Sequence, residues 1–168
     1  MLLRFVFVVG LVTGFLVCAG AAADTMSGRV VRVIDGDTLV LLVAGHEQER
    51  IRLAGIDCPE RKQAFGTRAK QALTRRVAGK EVTVEWAKRD RYGRIVGKIV
   101  YGGHDVDLAL VREGMCWWYR KYAHEQTRAD RVLYENAEAK AQEKRLGLWR
   151  DPAPVPPWEW RKERHHGR

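Results

Sequence analysis

Gly28-Arg-Val-Val-Arg-Val-Ile-Asp-Gly-Asp-Thr-Leu-Val-Leu-Leu-Val43 is the stretch on which the fold turns. Two β-branched runs, Gly28 to Ile34 and Thr38 to Val43, flank Asp35-Gly36-Asp37, a hairpin-type turn. Working outward, Arg50 to Leu53 alternates polar and apolar and predicts a third strand. Glu81 to Trp86 places Val82, Val84 and Trp86 on one face of a fourth, and Ile95 to Tyr101 gives a fifth, closed by Gly102-Gly103. Between them, Asp90-Arg-Tyr-Gly93 reads as a turn. Helical spacing of Ala69, Ala72, Leu73 and Val77 predicts a helix over Gly66 to Val77, stopped by Gly79. A short helix over Val106 to Glu113 ends at Gly114, and a longer one runs over Asp130 to Leu146 with Leu133, Ala137 and Ala141 on one face. Five short strands with intervening helices predict an α+β domain, a small closed barrel with helices packed around it.

The ends of the chain read differently. Arg4, the apolar run Phe5 to Val17 and the small residues Ala19 to Ala23 form a secretory leader, so residues 1-23 are assigned to a cleaved signal peptide. The run is too short for a comfortable membrane span, so no stable membrane insertion is expected after cleavage, and the protein is expected to be exported, periplasmic or secreted. About 145 residues remain, enough for one domain with a real core. Residues 24-150 form that domain, followed by a Pro-rich and then basic tail over 151-168. Four prolines between Asp151 and Pro157 exclude helix or central strand, Trp158-Glu-Trp160 is expected to lie back on the domain, and Arg161 to Arg168 is expected to be disordered.

The formal net charge is +9, or +8 once Arg4 leaves with the leader. A basic exported domain selects among nucleic acid, anionic surface polymers and membrane headgroups as partners. Cys58 and Cys116 are the only cysteines of the mature chain; export permits a bridge between them, and two separate thiols are the alternative.

Against that basic background, three segments concentrate acids and arginines beside turns: Val33-Ile-Asp-Gly-Asp-Thr38, Ile51-Arg-Leu-Ala-Gly-Ile-Asp-Cys-Pro-Glu60 and Asp90-Arg-Tyr-Gly-Arg94. Asp35, Asp37, Asp57 and Glu60 are candidates for holding a hard cation and its water, Arg52 and Arg94 for gripping a phosphate. A phosphodiester repels hydroxide, and its pentacovalent transition state carries extra negative charge. Its hydrolysis therefore needs a cation, fixed positive donors and a group that positions water. Oxygen ligands with no His or Cys at metal spacing select Ca²⁺ or Mg²⁺ over zinc. Glu60 is placed to orient or deprotonate the water. Taken singly, Asp-Gly-Asp is only a turn and Asp-Arg-Tyr-Gly-Arg only a solvated hairpin; an EF-hand is excluded because the remaining loop positions are missing. The cluster Trp117-Trp-Tyr-Arg-Lys-Tyr122 interleaves aromatics with cations, the composition of a stacking platform for single-stranded nucleic acid. At least one of its tryptophans is expected in the core.

In this order the three segments resemble the thermonuclease family, the staphylococcal-nuclease-like enzymes. The resemblance spans about Gly28 to Trp149 and includes Ala109-Leu-Val-Arg-Glu-Gly114 and Leu146-Gly-Leu-Trp149. It implies an OB-fold barrel of five strands with three α-helices, acting as a Ca²⁺-dependent endonuclease. Such an enzyme cuts DNA and RNA, single-stranded or locally opened, at the 5′ P–O bond to leave 3′-phosphates, here as a monomer. By motif, Asp37, Asp57 and the backbone carbonyl of Cys58 look like the metal ligands, and Asp35 like a partner of the surrounding water. Glu60 takes the position of the general base, and Arg52 and Arg94 those of the phosphate-binding arginines. Tyr92 matches a tyrosine that contacts a terminal phosphate, while Tyr119 and Tyr122 compete for a nucleotide-stacking role. Two departures stand out: Cys58 replaces the Thr or Ala of other members, and the stretch between Glu60 and Gly66 is shortened.

Overall fold

The structure, a computed structural model, describes residues 24–166. The predicted leader falls on residues 1–23 and lies outside them. Strand β1 (Asp24–Val33) turns through Asp35-Gly36-Asp37 into β2 (Thr38–Leu42), and β3 (Gln48–Leu53) follows as an antiparallel neighbour. A two-residue strand β4 (Ile56–Asp57) leads to helix α1 (Gly66–Val77). Then come β5 (Glu81–Arg89), β6 (Ile95–Tyr101), the short β7 (His104–Asp105) and helix α2 (Val106–Arg112). A second two-residue strand, β8 (Trp117–Trp118), precedes helix α3 (Arg128–Glu143), and helix α4 (Pro157–His166) follows the proline run.

The expected barrel is present and closed. β1 is long enough to pair with β5 through its first half, Asp24 to Arg29, and with β2 through its second, Arg29 to Val33. A bulge between Val30 and Arg32 supplies the bend. β5 pairs with β6, and a parallel pairing of β6 with β3, Ile51 opposite Ile95, closes the ring β1-β2-β3-β6-β5. Closure pairs the edges of β3 and β6 with each other over Ile51 to Leu53. Alternation sends Leu39, Leu41, Ile51, Leu53, Val84, Ile95 and Ile99 inward, and α1 and α2 cap them with Leu73, Val77, Leu110 and Val111. Within this core the carboxyl of Asp107 accepts the amide of Ile99 through one oxygen at 3.3 Å, and its other oxygen has no partner among the described residues. Burial, reinforced by the charge of Asp105, pushes its pKa well above the usual carboxylate range.

Two sequence expectations are corrected. α3 packs through Tyr134, Ala137, Glu138 and Ala141, whereas Leu133 is half exposed. The i, i+3, i+4, i+7 stripe runs one position away from the row that contains Leu133. Glu138 is buried because it accepts the amide of Trp118 at 3.0 Å and pairs with Arg120. The segment from Arg161 onward, expected to be disordered, is helical as far as His166. Pro157 stands at the first helical position, where a missing N–H costs nothing, and Trp158 and Arg161 anchor the helix to the domain.

Candidate active site

The turn between β1 and β2 and the loop after β3 meet because strand register requires it. Thr38 lies opposite Arg52, and the amide of Leu53 donates to the carbonyl of Asp37 at 2.8 Å. The carboxylate of Asp37 then faces the chain just beyond β3, where its Oδ2 accepts the amide of Cys58 at 2.8 Å. Gly36 is needed for this approach: a Cβ there would stand 2.8 Å from the Cβ atoms of both Cys58 and Ala69. Asp35 braces the turn from the side, accepting the amide of Asp37 at 3.1 Å. Burial, reinforced by the charge of Asp37, pushes its carboxyl up to about 6.

Asp57 sits on β4, which pairs with β8. The pairing is reinforced covalently, because Cys58 and Cys116 form a disulfide. Of the two alternatives left by the sequence, the bridge is the one the structure contains. Asp57 is 1% exposed, and burial lifts its carboxyl against the pull of neighbouring guanidinium groups. Arg52 holds the two aspartates together: its Nη2 is 3.3 Å from Asp37 Oδ2 and 3.0 Å from Asp57 Oδ1, while its Nη1 donates to the Leu53 carbonyl at 2.6 Å.

Glu60 follows at the rim. Its backbone is folded into a tight loop in which Gln63 returns to the Glu60 carbonyl at 2.8 Å and the Gln63 side chain accepts the Glu60 amide at 3.0 Å. A Cβ at Gly66 would stand 2.0 Å from that same carbonyl, so the shortened loop depends on this glycine. Arg94, by contrast, is engaged by Asp90. Its Nε donates to Asp90 Oδ2 at 2.8 Å, and its guanidinium lies over the ring of the exposed Tyr92. The structure therefore brings Asp35, Asp37, Asp57, Glu60 and Arg52 together and leaves Arg94 and Tyr92 on the adjoining turn.

Both Trp117 and Trp118 are buried. Trp117 packs edge-on against Trp149 with ring centroids 5.3 Å apart, and Trp118 donates its indole N–H to Gln126 at 2.8 Å. Tyr119 and Tyr122 stand beside the site in an edge-to-face pair at 5.0 Å. Burial raises the phenol of Tyr119.

Residues 50–151 match the family model described as staphylococcal nuclease homologue. The chain belongs to the staphylococcal nuclease family. An uncharacterized endonuclease of Haemophilus influenzae is 35% identical over 97% of this chain and 88% of its own length. A micrococcal nuclease of Shigella flexneri is 43% identical over 88% of this chain and 86% of its own length. A staphylococcal-like nuclease of Arabidopsis thaliana is 42% identical over 70% of this chain and 35% of its own, longer, sequence.

Among the described residues, no three or more His, Cys, Asp or Glu side chains gather as a metal cage. The donor set nonetheless fits a hard cation. Asp37 and Asp57 supply carboxylate oxygens that converge on one nitrogen of Arg52, and a backbone carbonyl at Cys58 with water would complete the oxygen shell.

One member of this site was invisible to sequence reasoning. Arg161, from α4, places Nη2 2.6 Å from Asp57 Oδ2 and Nη1 2.8 Å from Glu60 Oε1. Its only signal is its spacing of one helical turn from Trp158, which stacks on Tyr119.

Proposed function

We propose that this protein is an exported, monomeric, Ca²⁺-dependent endonuclease that hydrolyses the phosphodiester bonds of DNA and RNA at the 5′ P–O bond, leaving 3′-phosphates. The observation that carries the reading is the meeting of Asp37, from the β1–β2 turn, and Asp57, from β4, on the single guanidinium of Arg52, with Glu60 at the rim. Relatives that bear nuclease names support it across most of the chain. The disulfide supports export, since such bridges persist in oxidising compartments.

Asp37, Asp57 and the carbonyl of Cys58 would hold the cation, with Asp35 accepting from water beside it. The bound Ca²⁺ supplies positive charge at the scissile phosphate, where charge builds in the transition state. Arg52, with Nη1 pinned by the Leu53 carbonyl and Nη2 by Asp37 and Asp57, would offer its remaining N–H groups to the phosphoryl oxygens. Arg94 reaches the same phosphate by leaving Asp90. Asp90 and Arg94 are both only partly buried, so the guanidinium can exchange this carboxylate for a phosphate. Glu60 accepts a proton from the attacking water, the new P–O bond forms in line, and the 5′-oxygen departs and takes a proton from solvent. Bases of an opened strand would stack on Tyr119 or Tyr122, with Tyr92 near a terminal phosphate.

Product ends test the reading. Fragments from a DNA and an RNA digest should carry 5′-hydroxyls, and so accept phosphate from ATP and polynucleotide kinase without prior dephosphorylation. Fragments that accept label only after phosphatase treatment would place the cut on the other side of phosphorus. Intact substrate would remove the enzyme reading altogether.

A further inference from the structure

α4 lies across the site just described, and its contacts fall on the groups that ligands would need. The extended run before it is fastened where Gln63 donates to the Val155 carbonyl at 2.6 Å, beside the loop that carries Glu60. Trp158 then stacks on Tyr119 with the rings 9° from parallel and centroids 5.2 Å apart, while meeting Trp117 edge-on at 6.3 Å. One turn later on the same face, Arg161 reaches the carboxylates. Its Nη2 contacts Asp57 Oδ2 at 2.6 Å, and its Nη1 contacts Asp57 Oδ1 at 3.3 Å and Glu60 Oε1 at 2.8 Å. An indole thus covers an aromatic face suited to a base, and a cation sits on the carboxylates suited to a metal.

We propose that α4 is a self-inhibitory strap that competes with both ligands: Arg161 with the divalent cation at Asp57 and Glu60, and Trp158 with a nucleobase on Tyr119. The proposal rests on the reading of Asp57 as a cation ligand. With Arg52 already on Asp57 Oδ1, Arg161 takes the Oδ2 that a metal would need, so Arg161 and the metal compete for the one remaining oxygen of this buried carboxylate. A base cannot take the face of Tyr119 that the near-parallel Trp158 ring already occupies. The strap meets the site through the ion pairs of half-exposed Arg161 and the ring contacts of Trp158, and these are the contacts a bound cation and a stacked base would replace. Apparent affinity falls by the fraction of molecules with the strap open.

Calorimetric titration of the full chain with Ca²⁺, and separately with a short oligo-dT in EDTA, tests the proposal. Arg161→Gln is expected to bind Ca²⁺ about tenfold more tightly than wild type, and Trp158→Ala to bind the oligonucleotide more tightly by a similar factor. Wild type that binds Ca²⁺ as tightly as Arg161→Gln, or more tightly, would overturn the strap and leave the metal reading intact. Failure of both proteins to bind Ca²⁺ would overturn the strap together with the assignment of Asp57. Oligonucleotide affinity unchanged or weakened in Trp158→Ala would remove the competition at Tyr119.

Discussion

Asp57→Asn should lower the rate of DNA and RNA cleavage by about 10³-fold or more, equivalent to about 4 kcal/mol of transition-state stabilisation. Asp57 is buried, and its two oxygens already serve cationic partners, Arg52 on one side and Arg161 on the other. The amide that replaces it keeps the shape and loses the charge. A site with Asp37 as its only metal-binding carboxylate would hold a divalent cation far less tightly. The fold should survive, because the amide is isosteric and Arg52 keeps Asp37 and the Leu53 carbonyl as partners. Initial rates at saturating Ca²⁺, with a far-ultraviolet circular dichroism melt as control, make the check. A folded variant that retained a rate within tenfold of wild type would show that Asp57 has no part in the chemistry.

The second large effect concerns stability. The Cys58–Cys116 bridge spans 58 residues of sequence, and loop-closure entropy for a crosslink of that span is about 4 kcal/mol. The double variant Cys58→Ala/Cys116→Ala should therefore melt on the order of 10 °C below wild type. Reductant should move wild type in the same direction and leave the double variant unchanged. The bridge also ties β4, with Asp57, to the start of β8. Loss of stability should therefore come with weaker cation binding, since the loop that aims the carboxylate gains freedom. An unmoved melting curve would show that the pairing of β4 with β8 and the surrounding core suffice alone.

What was legible in the sequence followed from local periodicity and turn chemistry. α1 over Gly66–Val77 and β6 over Ile95–Tyr101 have the predicted bounds, because each is a periodic run closed by a glycine. The convergence of Asp37 and Asp57 was legible too, since a hairpin and one further antiparallel strand bring the turn back beside the end of β3. β4 and β8 were not: two residues carry no period, and the disulfide beside their pairing has a Cα separation that sequence does not give. The stripe of α3 was missed by one position, because its packing face includes a glutamate made compatible with burial by Trp118 and Arg120. α4 was least legible. A ten-residue polar, basic helix is marginal by itself. It is held by contacts to Tyr119, Asp57 and Glu60, and the two carboxylates lie 104 and 101 residues before Arg161. Spacing within the tail contained none of that.

A cation switch in one preparation of purified protein tests the metal site most directly. Plasmid DNA and a structured RNA incubated with millimolar Ca²⁺ should both be digested. Excess EDTA should stop digestion, and replenished Ca²⁺ should restore it. Digestion that continued in EDTA, or substrates left intact at every Ca²⁺ concentration, would contradict a metal-dependent nuclease built on Asp37, Asp57 and Arg52.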